Sequence, residues 1–135
     1  MRFVSDLTAF LLDRITEDEE VARTARVNAG HWHQDPECPD VVLAAGDDFV
    51  GDVAGPHIVA HIARHDPHRV LAECAAKRRI VELHWESNAR GWRAGGAPMP
   101  SRCAECRAVP FPCPTLRALA SVYADHPDYD PGWAV

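Results

Sequence analysis

Three of the chain's five cysteines lie within eleven residues, in the stretch "CAECRAVPFPC" from Cys103 to Cys113. Cys103 and Cys106 form a Cys-x-x-Cys pair. A tight turn at that spacing points both sulfurs inward, so that two thiolates can bind one tetrahedral ion at about 2.3 Å each. Six residues separate Cys106 from Cys113, enough for a small turn. Cys113 precedes Pro114 at the expected start of a helix, where free N–H groups and the helix dipole favour a thiolate and lower its pKa. A tetrahedral site needs a fourth donor. His84 is the first choice, because it ends a predicted helix on the face of Val81 and stands just before the glycine-rich segment leading to Cys103. His126 is the second, with Cys74, His31 and His33 behind it. Thiolates with imidazole suit zinc better than calcium or magnesium. Four protein ligands would make the site structural, with no open position for a reacting water.

Other chemistries compete for these residues. A lone Cys-x-x-Cys can be redox-active beside a βαβ pattern, and cysteines also serve as small buried hydrophobes. No βαβ pattern is evident, and a redox pair leaves the third cysteine at a helix start unexplained. His57, His61 and His65 recur every four residues along one drifting helical face, and two histidines at i, i+4 can share a metal in a hydrolase. The glutamate base of such motifs is absent from "HIARH", so histidines facing solvent or held by hydrogen bonds are the expectation. "HWH" (31–33) offers either a recognition loop or a buried anchoring Trp32, and the buried anchor is preferred. Asp47, Asp48 and Asp52 surround a turn, and turn chemistry explains them without a cation.

The elements that must position these groups are mostly helical. Ser5 caps a first helix whose apolar stripe of Leu7, Phe10, Leu11, Ile15, Val21, Ala22 and Ala25 runs to about Arg26, past the acidic run "TEDEE". Residues 28–39 read as loop. Two β-prone pieces flank Gly46, Asp47 and Asp48, which predicts a hairpin over 41–53. A short helix follows over 55–66. Asp66 and Pro67 then open a third, as N-cap and first helical residue, reaching about Trp85. Residues 87–101, rich in Gly and Pro, read as a mobile loop. The last helix begins at Pro114, with Leu116, Leu119, Ala120 and Tyr123 on its apolar face, and an extended tail folds back on the body. The expected architecture is a single domain over 1–135. It is mainly α, with about four helices, a small β-hairpin and, over 103–125, a zinc-knuckle-like staple with the C-terminal helix.

The 135 residues suffice for one modest core. No run approaches the roughly 20 apolar residues of a membrane span, and the N-terminus turns acidic without a cleavage site. A reducing cytoplasm is therefore expected, and an odd cysteine count fits a disulfide framework poorly. The net charge of −6 disfavours a general grip on nucleic acid and favours protein partners. "AKRR" (76–79), with Lys77, Arg78 and Arg79, is the one local basic patch on which a nucleic-acid reading would rest.

Three strings, "LTAFLLDRITEDEEVA", "HIARHDPHRVLAECAAKRRIVELH" and "CPTLRALASVYADHPDYDPGW", resemble a family of short uncharacterised proteins from actinobacteria and their phages, classed as a domain of unknown function. The resemblance implies a histidine at the position of His84 and cysteines at those of Cys103, Cys106 and Cys113. It demotes Cys74, where an apolar residue is common, and it implies no activity. A zinc-stabilised binding or regulatory module acting through protein contacts is the reading that results. A nucleic-acid regulator and a metal-dependent hydrolase built on His57, His61 and His65 are its alternatives.

Overall fold

The computed structural model describes residues 5–88, 95–97 and 99–135. The described residues form four α-helices and small antiparallel sheets: α1 (Asp6–Thr24), β1 (Trp32–Gln34), β2 (Val41–Ala44), β3 (Asp48–Asp52), α2 (Pro56–Arg64), α3 (Pro67–Leu83), β4 (Glu86–Ser87), β5 (Arg102–Cys103) and α4 (Pro114–Ala120). The mainly α architecture with a small hairpin matches the sequence expectation. Of the glycine-rich loop expected over 87–101, residues 89–94 and 98 lie outside those described.

Two compact units share the chain: Met1–Ile15 with Ala76–Val135, and Thr16–Ala75. We call them the terminal and the central unit. By sequence the central unit carries twelve Asp and Glu against four Lys and Arg, whereas the terminal unit carries eight against ten. The net charge of −6 therefore averages over an acidic unit and a slightly basic one.

In the central unit, β2 lies between β1 and β3, and Val42, Leu43 and Ala44 are all buried. Three consecutive buried residues mean that both faces of this strand are covered, and α2 contacts both β1 and β2. β1 falls in the stretch expected to be loop. Three residues are too short to show the alternation that marks a strand, and pairing with β2 supplies what periodicity lacks (Trp32↔Ala44, His33↔Leu43, Gln34↔Val42). The β2–β3 turn passes through Gly46 (φ 81°) and Asp47 (φ 61°), a left-handed pair that Gly and Asp tolerate. Gly30 sits at φ 80°, and a Cβ there would come within 3.0 Å of the His68 backbone nitrogen, so the chain passes α3 only without a side chain. Asp66 caps α3 as expected, its Oδ1 accepting the Arg69 N–H at 2.8 Å. Its Oδ2 also accepts the Trp32 N–H at 3.1 Å, which ties β1 to the start of the helix.

In the terminal unit, Ser5 Oγ accepts the Thr8 N–H at 3.2 Å and begins α1, whose Leu7, Phe10, Leu11 and Ile15 are buried. The expected stripe fails farther along: Val21 is 71% exposed, and Ala25 is exposed too. The Phe10 ring meets Tyr123, His126, Tyr129 and Trp133 at centroid distances of 5.2–6.2 Å. The tail thus folds back as expected. It is not simply extended, for it makes 3-10 turns at Ser121–Tyr123 and Pro131–Trp133.

Candidate metal centre

Each donor of the cluster is placed by a different local device. His84 continues α3 by one residue, its N–H bonding to the Ile80 carbonyl at 3.0 Å. The chain then enters the two-residue ladder β4–β5, in which Glu86 pairs with Cys103 and Ser87 with Arg102. The Ala104 N–H donates to the Trp85 carbonyl at 2.9 Å, and Ser101 Oγ donates to Glu86 Oε1 at 2.6 Å. This ladder sets Cys103 beside the end of α3. The Cys103–Cys106 turn closes through the Arg107 N–H to the Cys103 carbonyl (3.1 Å) and the Cys103 N–H to the Ala108 carbonyl (3.0 Å). Arg107 adopts φ 64° to complete it. Cys113 stands at the N-cap of α4 with Pro114 in the first turn, and its carbonyl accepts the Arg117 N–H at 3.1 Å.

These devices converge. One ligand atom from each of His84, Cys103, Cys106 and Cys113 lies within 4.8 Å of all the others. His84 Nδ1 is 3.3 Å from Cys103 Sγ and 3.5 Å from Cys113 Sγ. A tetrahedral zinc with ordinary bond lengths puts nitrogen and sulfur about 3.6 Å apart and two sulfurs about 3.8 Å apart. Two sulfurs close to one ring nitrogen also exceed what a single S–H···N hydrogen bond uses. The four residues can therefore hold a metal ion.

Burial divides the donors. Cys103 and Cys113 are fully buried, His84 is half-buried and Cys106 is exposed. Burial pushes the Cys113 thiol up to about 11, against the pull of the Leu116 amide toward the thiolate. The expectation that the helix start would lower this pKa is corrected: desolvation of the charge outweighs the N–H groups of a seven-residue helix. Cys106 is lowered, chiefly by the Ala108 backbone amide, with the Cys103 and Cys113 thiols adding to it. A cation held here would reverse the penalty at Cys113, because a coordinating thiol loses its proton to solvent.

The other candidate ligands are placed elsewhere. His126 packs on Phe10, its Nε2 contacting the Arg14 guanidinium and its Nδ1 accepting the Asp128 N–H at 3.0 Å. Cys74 is buried within α3 and Cys38 is exposed. His31 stacks on His68 with ring centroids 3.9 Å apart, and His33 Nε2 lies 3.3 Å from Asp47 Oδ1. His57, His61 and His65 are exposed on or beside α2. His61 and His65 stack at 4.5 Å, and no carboxylate joins them in a metal-holding group among the described residues. Of the Lys77–Arg79 patch, Lys77 reaches Tyr123 Oη at 3.5 Å and Arg79 pairs with Glu82 at 3.3 Å. Asp48 takes a hydrogen bond from the Asn28 side-chain amide.

Sequence reasoning missed the clasp made by Arg117, whose Nε donates to the Trp133 carbonyl at 3.0 Å and whose second nitrogen reaches the Ala134 carbonyl. Only its place one turn into α4, across from the tail, could have suggested it.

A family model, "Family of unknown function (DUF6221)", matches residues 4–135. The chain belongs to this family. The DUF6221 match spans both units and all four cluster residues. No curated protein and no solved structure matches the chain.

Proposed function

We propose that this DUF6221 chain is a small zinc-stabilised, non-enzymatic binding module that acts through protein contacts. The convergence of three sulfurs and one imidazole nitrogen within 4.8 Å carries the reading. The donor set is soft and complete, which selects zinc and leaves no open position for a reacting water. Thiolates in this role need a reducing compartment, so we place the protein in the cytoplasm. No described helix is long and apolar enough to cross a membrane.

Elemental analysis of protein purified without an affinity metal tests the reading, alongside free-thiol counting. About one zinc per chain, lost in both His84→Ala and Cys113→Ser, is the expected result. Five reactive thiols and no metal in a folded protein would overturn it and revive the redox reading.

One observation favours a second reading. Ten Lys and Arg gather in the unit that holds the cluster, so a nucleic-acid contact would be confined to that unit. It predicts salt-sensitive binding that is lost when Lys77, Arg78 and Arg79 become Ala.

A further inference from the structure

The three sulfurs of the cluster meet solvent unequally. Cys103 and Cys113 are fully buried, whereas Cys106 is exposed. Convergence on an ion does not require this, and a staple is best protected when every donor is covered. The exposed donor also stands beside a buried one that can react with it. Cys103 and Cys106 share one turn, closed by the Arg107 N–H to the Cys103 carbonyl at 3.1 Å, and their sulfurs lie within 4.8 Å of each other. Side-chain rotation within such a turn can bring two sulfurs to the roughly 2.05 Å of a disulfide once no ion holds them apart. Cys113, fixed at the head of α4, does not share that turn. The other exposed thiol, Cys38, lies in the central unit and belongs to no such group among the described residues.

We propose that Cys106 is an oxidation site through which a peroxide ejects the metal from the cluster. The inference rests on the zinc reading above and adds the regulation of that site. Bound to zinc, the Cys106 sulfur is a thiolate that solvent reaches, and exposed thiolates are what peroxides attack. The sulfur takes one oxygen of hydrogen peroxide as the O–O bond breaks, giving a sulfenic acid and a hydroxide. The Cys103 thiolate then attacks the Cys106 sulfur, so that the S–S bond forms, the S–O bond breaks and a second hydroxide leaves. Two thiolates have then given two electrons to the peroxide, and each hydroxide takes a proton from solvent. Only Cys113 and His84 remain as donors, short of the four that close a structural site. A dithiol reductant reopens the disulfide by thiol–disulfide exchange, and the site can reload. The segment between Cys106 and Cys113 lines, with Arg117 and Trp133, a cavity of about 290 Å³. Donors fix both ends of that segment, so oxidation changes this surface of the binding module.

The test uses the zinc-loaded full chain carrying Cys38→Ser, which removes the other exposed thiol. Hydrogen peroxide is added, a metallochromic chelator reads zinc release, and mass spectrometry maps the disulfide. The expected result is about one zinc released per Cys103–Cys106 disulfide, with both changes reversed by dithiothreitol and added zinc. Dimedone, which traps sulfenic acids, should label Cys106 first during a brief exposure. In zinc-loaded Cys106→Ser, release should slow at least about tenfold. If that variant fails to hold zinc, the dimedone label decides alone. Zinc retained with intact thiols, first labelling at Cys103 or Cys113, or release that dithiothreitol does not reverse overturns the proposal and leaves the zinc reading standing. A folded chain that takes up no zinc overturns both.

Discussion

The central and terminal units are held together by different means. The central unit relies more on neighbours in sequence: adjacent strands pair, Gly46 and Asp47 turn the hairpin, and Asp66 caps the helix it precedes, although the same carboxylate also reaches the Trp32 N–H from 34 residues away. The terminal unit closes through distant residues. Phe10 is enclosed by Tyr123, His126, Tyr129 and Trp133, and His84 meets Cys113 from 29 residues away. Its only described ladder is two residues long on each side. Units of this size rarely stand on a hydrophobic core alone and commonly add a staple. Long-range closure costs more chain entropy than local closure, so the unit with the longer loops gains most from one.

Stripping the proposed metal is the sharpest way to break this comparison. If the proposed zinc is bound, its chelation, or the Cys113→Ser substitution, should lower Tm by on the order of 10 °C or more. Amide exchange should rise first around residues 84–87 and 101–117. Equal loss of protection across β1, β2 and β3 would show that the two units do not differ in this way.

Acidity gives a second test with opposite signs for the two forms. In the metal-free chain, Cys113 is held at about 11 against a reference of 9.0, so the folded state binds its proton more tightly than the unfolded state does. The stability this contributes is complete below pH 9.0 and is lost as pH rises toward about 11. Metal loading runs the other way and strengthens as pH rises, because binding expels thiol protons. Thermal melts of both forms across pH 6–11 should diverge toward the alkaline end.

Asp66→Ala probes the central unit. It removes the cap of α3 and the acceptor of the Trp32 N–H together, at an expected cost of about 1–3 kcal/mol by denaturant unfolding. A cost above that of losing the metal would invert the comparison. The smallest effect is expected at Arg79→Ala, which breaks an exposed pair with Glu82 and should cost only a few tenths of a kcal/mol.

Much of the site was legible because its signals are local. Two thiols three residues apart, a third before Pro114 and a histidine at a helix end are all visible as spacing, and these four are the residues the fold brings together. The caps at Ser5 and Asp66 and the turn at Gly46 were legible for the same reason: one residue type answers one backbone need. β1 was not legible, because "WHQ" becomes a strand only when β2 lies beside it. Val21 was misplaced because helical periodicity says which residues share a face. It does not say where the covering neighbour ends.

The sequence by itself determined the three candidate thiols, the helix starts and the charge total. The tertiary structure alone decided which histidine joins the thiols, since His84 and His126 have the same chemistry and only the β4–β5 ladder carries one of them to Cys103. It also decided the direction of the Cys113 pKa in the metal-free chain, where burial overrides the helix start, and the separation of charge into an acidic and a slightly basic unit. Each of these depends on what lies around a residue in space, and desolvation and charge are set by that surrounding volume, not by position along the chain.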